Sequence, residues 1–318
     1  MDEAGVIELI ACGELPRSDI LLGIGDDAAV LQPPPGKLMV LAVDTLNEGV
    51  HFPKDIEPRD LGHRAVAVNL SDLAAMGATP AWALLSLSMP TAEADWVSGF
   101  AEGARRLARR HDVAIVGGDT VRGPLSVCVQ VVGFVDPGRF LARGNAKPGD
   151  SVFVTGHPGD ASAGLAVLQS GGGDNRLTDR FLRPQPRTDI GRAIAGVASA
   201  AIDISDGLVT DLGRLAAASG VRLVVELRDL PLSEALVDLM GAGRALEHAL
   251  GGGDDYELCF TVEPGRVPAL DHMAADWDCG ITRIGYVEVG EGVVLLRDGK
   301  PCPDTSVQTW QHFPKASS

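Results

Sequence analysis

The sequence is poor in aromatic residues, poor in basic residues and free of long apolar runs. Phe, Trp and Tyr make up 4% of its 318 residues, which argues against an aromatic-rich recognition module. Lys and Arg number 27 against 43 Asp and Glu, and the formal net charge is −16. Nucleic acid is therefore not expected as a partner. No stretch approaches 18 uninterrupted apolar residues, so we expect no membrane-spanning segment.

The cysteines form no metal-binding or disulfide pattern. Their number is odd, and no CxxC or Cys/His metal spacing occurs among Cys12, Cys128, Cys259, Cys279 and Cys302. A reduced compartment without structural zinc is the plain inference. The chain starts MDEAGVIELIAC, which has neither a basic region nor a long apolar core. We therefore expect no signal peptide and a cytoplasmic location.

Several well-known catalytic signatures are also missing. There is no G-x-x-x-x-G-K-[ST] loop, no protein-kinase motif set, no H-x-E or HExxH zinc motif and no G-x-S-x-G elbow. The run GIGDDA imitates a dinucleotide fingerprint, but its two aspartates would face a pyrophosphate with no metal between them. A Rossmann site is therefore disfavoured.

Strand-like and helix-like stretches alternate along the chain, which predicts an α/β (α+β) protein of two domains. Predicted strands are 38–44, 83–89, 113–116, 125–135, 151–155, 222–227, 256–262, 281–287 and 292–296. Predicted helices are 59–76, 92–110 and 206–219. The polar run RGNAKPGD suggests a boundary near 145–150, giving domains 1–147 and 148–318. Residues 170–188 are rich in Gly, Pro and Arg, which predicts a mobile or functional loop outside the core.

Short acidic motifs carry the chemistry. Aspartates beside Gly, Ser or Thr follow apolar runs at residues 26–27, 44, 72, 119, 203–206 and 254–255. Two unpaired carboxylates 4 Å apart repel by about 4 kcal/mol at an effective dielectric near 20. Several converging on one cleft would therefore need cations. Short oxygen ligands favour a hard divalent ion, and Mg²⁺ commonly shares its shell with substrate phosphates.

Each motif alone also fits a turn or an N-cap, where Asp beside Gly or Ser is common. Six such motifs with few Lys or Arg nearby make that explanation weak for the whole set. We therefore expect the carboxylates to meet in one pocket that binds Mg²⁺ and a nucleotide.

Seven motifs in order resemble those of thiamine-monophosphate kinases. They are GIGDDAAV, VDTLNEGVHF, AVNLSDLAAMGATPAW, GGDTVRGPLS, ARGNAKPGD, AIDISDGL and GGDDYELCFTV. That family belongs to a superfamily with aminoimidazole-ribonucleotide and selenophosphate synthetases and hydrogenase-maturation dehydratases. The resemblance implies an N-terminal ATP- and Mg²⁺-binding domain that dimerises through its sheet, a C-terminal α/β domain, and homodimers with active sites near the dimer interface.

The resemblance also assigns residues. Metal ligands would be Asp27, Asp44, Asp72, Asp119, Asp203 and Asp206. ATP would contact Gly118, Asp119, Arg143 and Ser205, and the acceptor would meet His51, Asp254 and Trp310. Where the family often has hydroxyl residues this chain has Ala42 and Val43, so any metal ligation there uses backbone carbonyls. Asp254 replaces a common Glu and reaches about one methylene less far.

Three of these residues have simpler alternatives. His51 fits an unliganded loop histidine, Arg143 fits a brace at the domain boundary, and Trp310 fits a packing anchor.

The resemblance implies phosphorylation of thiamine monophosphate by ATP. An acceptor phosphate with a second pKa near 6 is largely ionised at neutral pH, so it needs no general base. We expect direct in-line transfer without a phosphoenzyme, and no catalytic residue beyond the metal ligands. The alternatives are another enzyme of the superfamily, making aminoimidazole ribonucleotide or selenophosphate, and a non-catalytic nucleotide-binding dimer.

Overall fold

A computed structural model describes residues 1–12, 17–173 and 176–302. The chain divides into two units, Met1–Phe140 and Leu141–Ser318, each with its own sheet. The sequence predicts a division after residue 147, but residues 141–147 pack within the second unit. There Ala146 is buried in the main core, and the Ala201 N–H donates to Ala142 O (3.4 Å). No helix of the described residues is both long and apolar enough to cross a membrane.

The first unit combines three helices with two sheets. The helices are α1 (Glu3–Ala11), α2 (Pro58–Ala75) and α3 (Ala94–Arg110). The strands are β1 (Ile20–Leu22), β2 (Val30–Leu31), β3 (Leu38–Asn47), β4 (Thr79–Met89), β5 (Ala114–Arg122) and β6 (Ser126–Val135). The larger sheet has the order β3-β6-β4-β5, and β1 pairs only with β2. β4 and β5 are parallel and joined through α3, whereas the other neighbours are antiparallel.

The two faces of the larger sheet differ in burial. Alternate residues such as Leu87, Val127 and Val129 are almost completely buried, and α2 packs on this side against β3 and β6. The residues between them point to the other face, as strand alternation requires. On that face, large apolar side chains remain exposed at Met39, Leu41, Val43, Leu84 and Val121.

Helices α2 and α3 cross at two glycines. A Cβ at Gly62 would lie 2.0 Å from Phe100 O, and one at Gly103 would lie 1.9 Å from Arg59 O. No larger residue fits at either position without moving a helix. With α3 on one side and the larger sheet on the other, most residues of α2 are buried.

The second unit is built on a seven-stranded sheet. Its strands are β7 (Ser151–Thr155), β8 (Ala198–Asp203), β9 (Arg222–Glu226), β10 (Leu258–Val262), β11 (Ile281–Glu288), β12 (Gly292–Arg297) and β13 (Lys300–Pro301). Its helices are α4 (Asp160–Gln169), α5 (Arg176–Leu182), α6 (Thr188–Ile194), α7 (Leu208–Ser219), α8 (Glu234–Gly251) and α9 (Val267–Ala274). The strand order is β13-β12-β9-β11-β7-β10-β8, with only β9 and β12 parallel. Helix α8 is interrupted at Gly241, where φ is +73°.

The main core of this unit lies between the sheet and α7. Leu208, Leu212 and Leu215 of the helix pack on apolar residues of the strands, including Val152 and Ile202. Because β8 and β10 are neighbours in this sheet, the segments that extend from them also run side by side.

The prediction of a loop outside the core at 170–188 is wrong in part. Residues 176–182 form α5, in which Leu177, Thr178 and Phe181 are buried. Leu177 and Phe181 are four residues apart and so lie on one side of the helix. Because the flanking residues are rich in Gly and Pro, the sequence pattern does not predict this short helix.

Candidate active site

Two predicted metal ligands of the first unit, Asp44 and Asp72, lie on either side of Asn69. The Asp44 N–H donates to Asn69 Oδ1 (2.9 Å), and Asn69 Nδ2 donates to Ala65 O (3.0 Å). Asn69 is fully buried, so it fixes β3 against α2. Asp72 follows Asn69 by three residues and projects from the same side of α2. We call Asp44, Asn69 and Asp72 the helix–sheet corner. Asn69 was not among the predicted site residues, although it lies in the motif AVNLSD.

Asp119 lies at the other edge of the same sheet. The strand register aligns Asp44, Val129, Leu85 and Gly118 in one row. With strands about 4.8 Å apart, Gly118 lies about 14 Å from Asp44 along the sheet. Asp119 is exposed beside it. Because Mg²⁺ ligands lie about 2.1 Å from the ion, Asp44 and Asp119 of one sheet do not share an ion.

Gly118 is required by its surroundings. Its φ is +155°, and a Cβ there would lie 1.7 Å from Leu85 O. Glycine therefore lets β5 approach β4 at the residue before Asp119.

The other predicted ligands of the first unit are on loops or on the edge strand. Asp27 is exposed between β1 and β2, and its N–H donates to Asp26 Oδ1 (2.8 Å). His51 follows β3 and folds back on it, so that its Nδ1 accepts from the Asn47 N–H (2.9 Å). This bond leaves the Nε2 position as the donor of a neutral imidazole.

The two residues before Asp44 direct their carbonyls differently. β3 is an edge strand, and the Asp44 N–H bonds to Asn69 rather than to β6. Backbone groups alternate in direction along an antiparallel strand. The Ala42 carbonyl therefore points away from β6, as Asp44 does, whereas the Val43 carbonyl faces β6. Ligation by Ala42 suits this geometry better than ligation by Val43.

In the second unit, the segments after β8 and before β10 are hydrogen-bonded to each other. The Ile204 N–H donates to Glu257 O, the Tyr256 N–H to Ile204 O and the Asp254 N–H to Ser205 O, at 2.8, 2.8 and 2.9 Å. A Cβ at Gly253 would lie 2.3 Å from Ser205 O, so glycine permits this contact. We call residues 204–207 and 252–257 the loop pair. It brings together the predicted residues Ser205 and Asp254.

Two carboxylates in the segment after β8, those of Asp206 and Asp211, bind the same arginine. Arg214 of α7 donates through Nη1 to Asp211 Oδ1 (2.7 Å) and forms an ion pair through Nη2 with Asp206. Asp211 Oδ2 accepts from the N–H groups of Ser205 and Asp206, both at 3.0 Å. Burial raises the pKa of Asp211 to about 6, against the effect of these hydrogen bonds, and the charge of Asp203 adds to the rise. Asp211 and Arg214 were not predicted.

Asp254 is held in a strained conformation. Both Asp254 (φ +68°) and Tyr256 (φ +51°) adopt left-handed backbone conformations, which are unfavourable for residues with side chains. The Tyr256 hydroxyl donates to Asp254 Oδ1 (3.2 Å). The structure thus maintains an unfavourable backbone to direct one carboxylate.

Two further acids of the motif GGDDYE point inward. Asp255 accepts from the N–H groups of Gly159 (2.8 Å) and Ala161 (3.2 Å) at the start of α4, and its burial raises its pKa well above the usual value. Glu257 accepts from Thr155 Oγ1 (2.6 Å) and from Arg187 Nε (2.7 Å) and Nη2 (2.5 Å).

Glu257 also forms an ion pair with Arg180. Burial pushes the pKa of Glu257 upward, but Arg187 and Arg180 outweigh this effect and lower it to about 2. The motif was recognised in the sequence, but this inward-facing role was not.

A Ser–His pair, for which the sequence gave no indication, lies beside the loop pair. Ser162 Oγ is 2.9 Å from His248 Nδ1 and donates to Gly159 O (3.2 Å). A Ser hydroxyl has one proton, so this bond makes the imidazole the donor to Ser162. A Cβ at Gly252 would lie 2.0 Å from Ser162 Oγ. The pair therefore supports the glycines of the loop pair rather than presenting a nucleophile.

Two predicted residues remain. Arg143 is exposed in a single helical turn, and its carbonyl accepts from Ser219 Oγ (2.7 Å). This bond attaches the Arg143 backbone to the end of α7. Trp310 lies outside the described residues.

The donors suit a metal that brings other ligands with it. Among the described residues, no three His, Cys, Asp or Glu side chains are grouped to hold an ion. Within each unit, therefore, the described carboxylates do not form the single pocket that the sequence led us to expect. Such a set fits Mg²⁺, which takes one or two carboxylates and completes its shell with phosphate and water.

Known proteins match both units. The AIR synthase related protein, N-terminal domain, matches residues 25–135, and the C-terminal domain of the same description matches residues 147–297. The thiamine-monophosphate kinase of Salmonella typhimurium is 44% identical over 92% of this chain and 96% of its own. That of Bacillus subtilis is 36% identical over 98% and 100%.

Solved structures agree. The thiamine-monophosphate kinase of Stenotrophomonas maltophilia K279a has a TM-score of 0.88 and 46% identity, covering 95% of this chain and 98% of its own. AaThiL complexed with AMPPCP and TMP has a TM-score of 0.77 and 38% identity, covering 91% and 92%. A hydrogenase maturation protein in complex with ATP, 19% identical with a TM-score of 0.75, shares the fold.

The two units and their acidic motifs are thus those of an AIR synthase related protein, and the predicted two-domain α/β class is confirmed. The curated relatives that are 36–44% identical over more than 90% of this chain are named thiamine-monophosphate kinases. The chain belongs to the thiamine-monophosphate kinase family.

Proposed function

We propose that this chain transfers the γ-phosphoryl group of ATP to thiamine monophosphate and so produces thiamine diphosphate. The observation that carries this proposal is the match to AaThiL complexed with AMPPCP and TMP, which spans 91% of this chain. The curated relatives with the same activity in their name support it. The chain is accordingly a kinase with ATP as co-substrate.

The nucleotide is assigned to Gly118, Asp119, Arg143 and Ser205. Gly118 lets β5 approach β4 closely, and Asp119 and Arg143 are exposed. Ser205 lies where two loops are fixed to each other.

Magnesium is assigned to carboxylates in both units. Asp44 and Asp72 of the helix–sheet corner would hold it together, with the Ala42 carbonyl as the better placed of the two proposed backbone ligands and the Val43 carbonyl, which faces β6, as the less well placed. The remaining ligands would be Asp27, Asp119, Asp203 and Asp206. When bound, Mg²⁺ would neutralise the phosphates of ATP and of the acceptor, which otherwise repel each other. Several ions are expected, because Asp44 and Asp119 of one sheet lie too far apart to share one.

The acceptor is assigned to His51, Asp254 and Trp310. A neutral His51 with Nε2–H would donate a hydrogen bond to the acceptor, and Asp254 would accept one. The indole of Trp310 would pack on a thiamine ring. Replacing His51 or Trp310 should raise the KM of the acceptor, and an unchanged KM would remove that residue from the site.

Direct transfer suits the groups present. The acceptor phosphate is already an anion near neutral pH, so these residues need only align it in line with the γ-phosphoryl group. The Ser162 hydroxyl is hydrogen-bonded to a carbonyl and accepts from His248, so it is not prepared to attack phosphorus.

The exposed sheet face is the proposed homodimer surface. It presents Leu41 at 56% exposure and Val43 at 59%, with Met39, Leu84 and Val121 around them. Apolar patches of this kind mark association surfaces. Sedimentation of the purified chain measures its mass, and a monomer at micromolar concentration would contradict this surface. We also place the enzyme in the cytoplasm, where ATP and Mg²⁺ are available.

The decisive experiment is an acceptor panel. The protein is incubated with ATP and Mg²⁺ and with thiamine monophosphate, thiamine, selenide or formylglycinamidine ribonucleotide, and ADP and product are measured. We expect thiamine diphosphate from thiamine monophosphate alone. Turnover of another acceptor would point to a different enzyme of the superfamily, and nucleotide binding without any turnover would point to a non-catalytic dimer.

A further inference from the structure

Asp211 holds the segment that carries Ser205 and Asp206, yet it faces away from solvent. It is 1% exposed on the first turns of α7. One carboxylate oxygen accepts both backbone N–H groups of Ser205 and Asp206 at 3.0 Å. The other oxygen accepts from Arg214.

The Ser205 carbonyl is held by the Asp254 N–H, whereas the N–H groups of Ser205 and Asp206 are held by Asp211. The segment precedes a helix, so its N–H groups have no helical partners. Gly207, which connects it to α7, has φ +109°, and a Cβ there would lie 2.8 Å from Gly251 O. Without Asp211, two N–H groups in a half-buried loop would have to find other acceptors, and the loop would rearrange to do so.

Asp211 also sets the direction of the Asp206 carboxylate. Arg214 binds Asp211 with one nitrogen and Asp206 with the other. Because Asp211 orients the guanidinium, Asp206 is held through a planar group rather than by its own flexible side chain. One buried carboxylate thus fixes the backbone of both residues and the side chain of one.

We propose that Asp211 is a positioning residue for nucleotide binding, which it supports by fixing the Ser205–Asp206 segment without touching the ligand. This inference rests on the proposed function, in which Ser205 meets ATP and Asp206 meets Mg²⁺. Asp254, which is assigned to the acceptor, is bonded to the Ser205 carbonyl rather than to Asp211, so the effect on the acceptor should be weaker than the effect on the nucleotide.

The test compares three variants of the full chain. Asp211→Ala removes the acceptor of both N–H groups, whereas Asp211→Asn retains one oxygen of the same reach. Glu226→Ala is the matched control, because Glu226 accepts from the N–H groups of Asp298 (3.0 Å) and Gly299 (2.9 Å) in the turn between β12 and β13. All three are titrated with AMPPCP and Mg²⁺ by calorimetry, and the KM of each substrate is measured.

For Asp211→Ala we expect Kd for AMPPCP and KM for ATP to rise about tenfold or more, which matches the loss of a buried hydrogen-bond partner. The KM of thiamine monophosphate should rise by a smaller factor, because Asp254 is linked to this segment through the Ser205 carbonyl and not through Asp211. Asp211→Asn should recover most of the nucleotide affinity, and Glu226→Ala should bind as the parent does. Equal AMPPCP affinity in parent and Asp211→Ala, or an equal rise in both KM values, would overturn the inference.

Two further results distinguish a failure of the proposed function from a failure of the inference about Asp211. If the parent itself does not bind AMPPCP with Mg²⁺, the proposed function fails. If Asp211→Ala does not fold, amide hydrogen exchange on the parent decides: the Ser205 and Asp206 amides should be protected without ligand. Exchange as fast as in an unstructured peptide would show that Asp211 does not hold them.

Discussion

The helix–sheet corner and the loop pair present acidic groups by different means. In the corner, Asp44 and Asp72 belong to a strand and a helix, and one buried amide, that of Asn69, joins the two elements. In the loop pair, Ser205, Asp206 and Asp254 belong to loops. These loops are held by a second group of buried charges, Asp211, Asp255 and Glu257.

The difference shows what a loop requires in order to position a charge. A regular element fixes its side chains through its own backbone hydrogen bonds, whereas a loop has N–H groups to satisfy and no ladder to satisfy them. In this protein buried carboxylates hold the loops, each by accepting hydrogen bonds from backbone or side-chain donors. Removing a ligand in the corner should therefore affect chemistry alone, and removing a support of the loop pair should affect the fold.

The largest effect is expected in the corner. Asp44→Asn or Asp72→Asn should reduce turnover by about a thousandfold, equivalent to about 4 kcal/mol in the transition state, because each removes a proposed metal charge. The melting temperature should stay near that of the parent. Steady-state kinetics with ATP and thiamine monophosphate, beside thermal unfolding, measure both.

Glu102→Gln is the control for this pair, since Glu102 lies on α3 of the same unit and pairs with Arg59 on the surface. It should leave turnover unchanged. Near-normal activity of Asp44→Asn would show that Asp44 does not bind the metal. The helix–sheet corner would then have no demonstrated role in the chemistry.

The next largest effect is expected at Glu257. Glu257→Gln leaves Arg187 and Arg180 without their shared carboxylate and should lower the free energy of unfolding by about 3 kcal/mol, since breaking a buried ion pair is costly. Urea denaturation measures it. The exposed pair of Glu288 with Arg222 provides the control, because Glu288→Gln should cost less than about 1 kcal/mol.

The pH dependence provides a second measure of Glu257. Its pKa is lowered from 4.5 to about 2 in the folded protein, so its stabilisation is present above pH 4.5 and lost as pH falls towards 2. The loss corresponds to about 3 kcal/mol. Between pH 5 and 3 the parent should lose more stability than Glu257→Gln does. Parallel curves for the two proteins would show that the ion pairs of Glu257 contribute little.

The smallest effect is expected at Ser162. Direct transfer uses no serine nucleophile, so Ser162→Ala should keep turnover within about threefold and lose about 1 kcal/mol of stability with its hydrogen bonds. Ser170→Ala, at the residue that follows the same helix and with an exposed hydrogen bond, is the control. A loss of a hundredfold confined to Ser162→Ala would indicate a phosphoenzyme and argue against direct transfer.

Much of the fold followed from periodicity and glycine signals. All nine predicted strands are present, and α2 and α7 end beside Gly77 and Gly220, which adopt φ +69° and +64°. β8 was not predicted because its sequence ASAAID has little of the β-branched or aromatic character of a strand. α8 was not predicted because Gly241 and Gly243 interrupt its pattern.

Some residues of the candidate site could likewise be predicted from the sequence, and others could not. The motifs located Asp44, Asp72, Ser205 and Asp254, because the residues of each motif are adjacent in sequence. Glu257 and Arg180 meet across 77 residues, and no local pattern reports such a distance. Asp211 directly follows the motif DISDGLVT, but a single acidic residue in a helix usually faces solvent. Only the folded structure shows that its carboxylate accepts from the N–H groups of Ser205 and Asp206.

The glycine crossing of α2 and α3 has a consequence for Asp72, the proposed metal ligand near the far end of α2. Asp72 lies ten residues beyond Gly62, or about 15 Å along the helix axis. A tilt of only about 5° at the crossing would swing the end of such a rod by about 1.3 Å, more than half of a magnesium–oxygen bond. Two residues without side chains therefore set the aim of a carboxylate that neither of them touches.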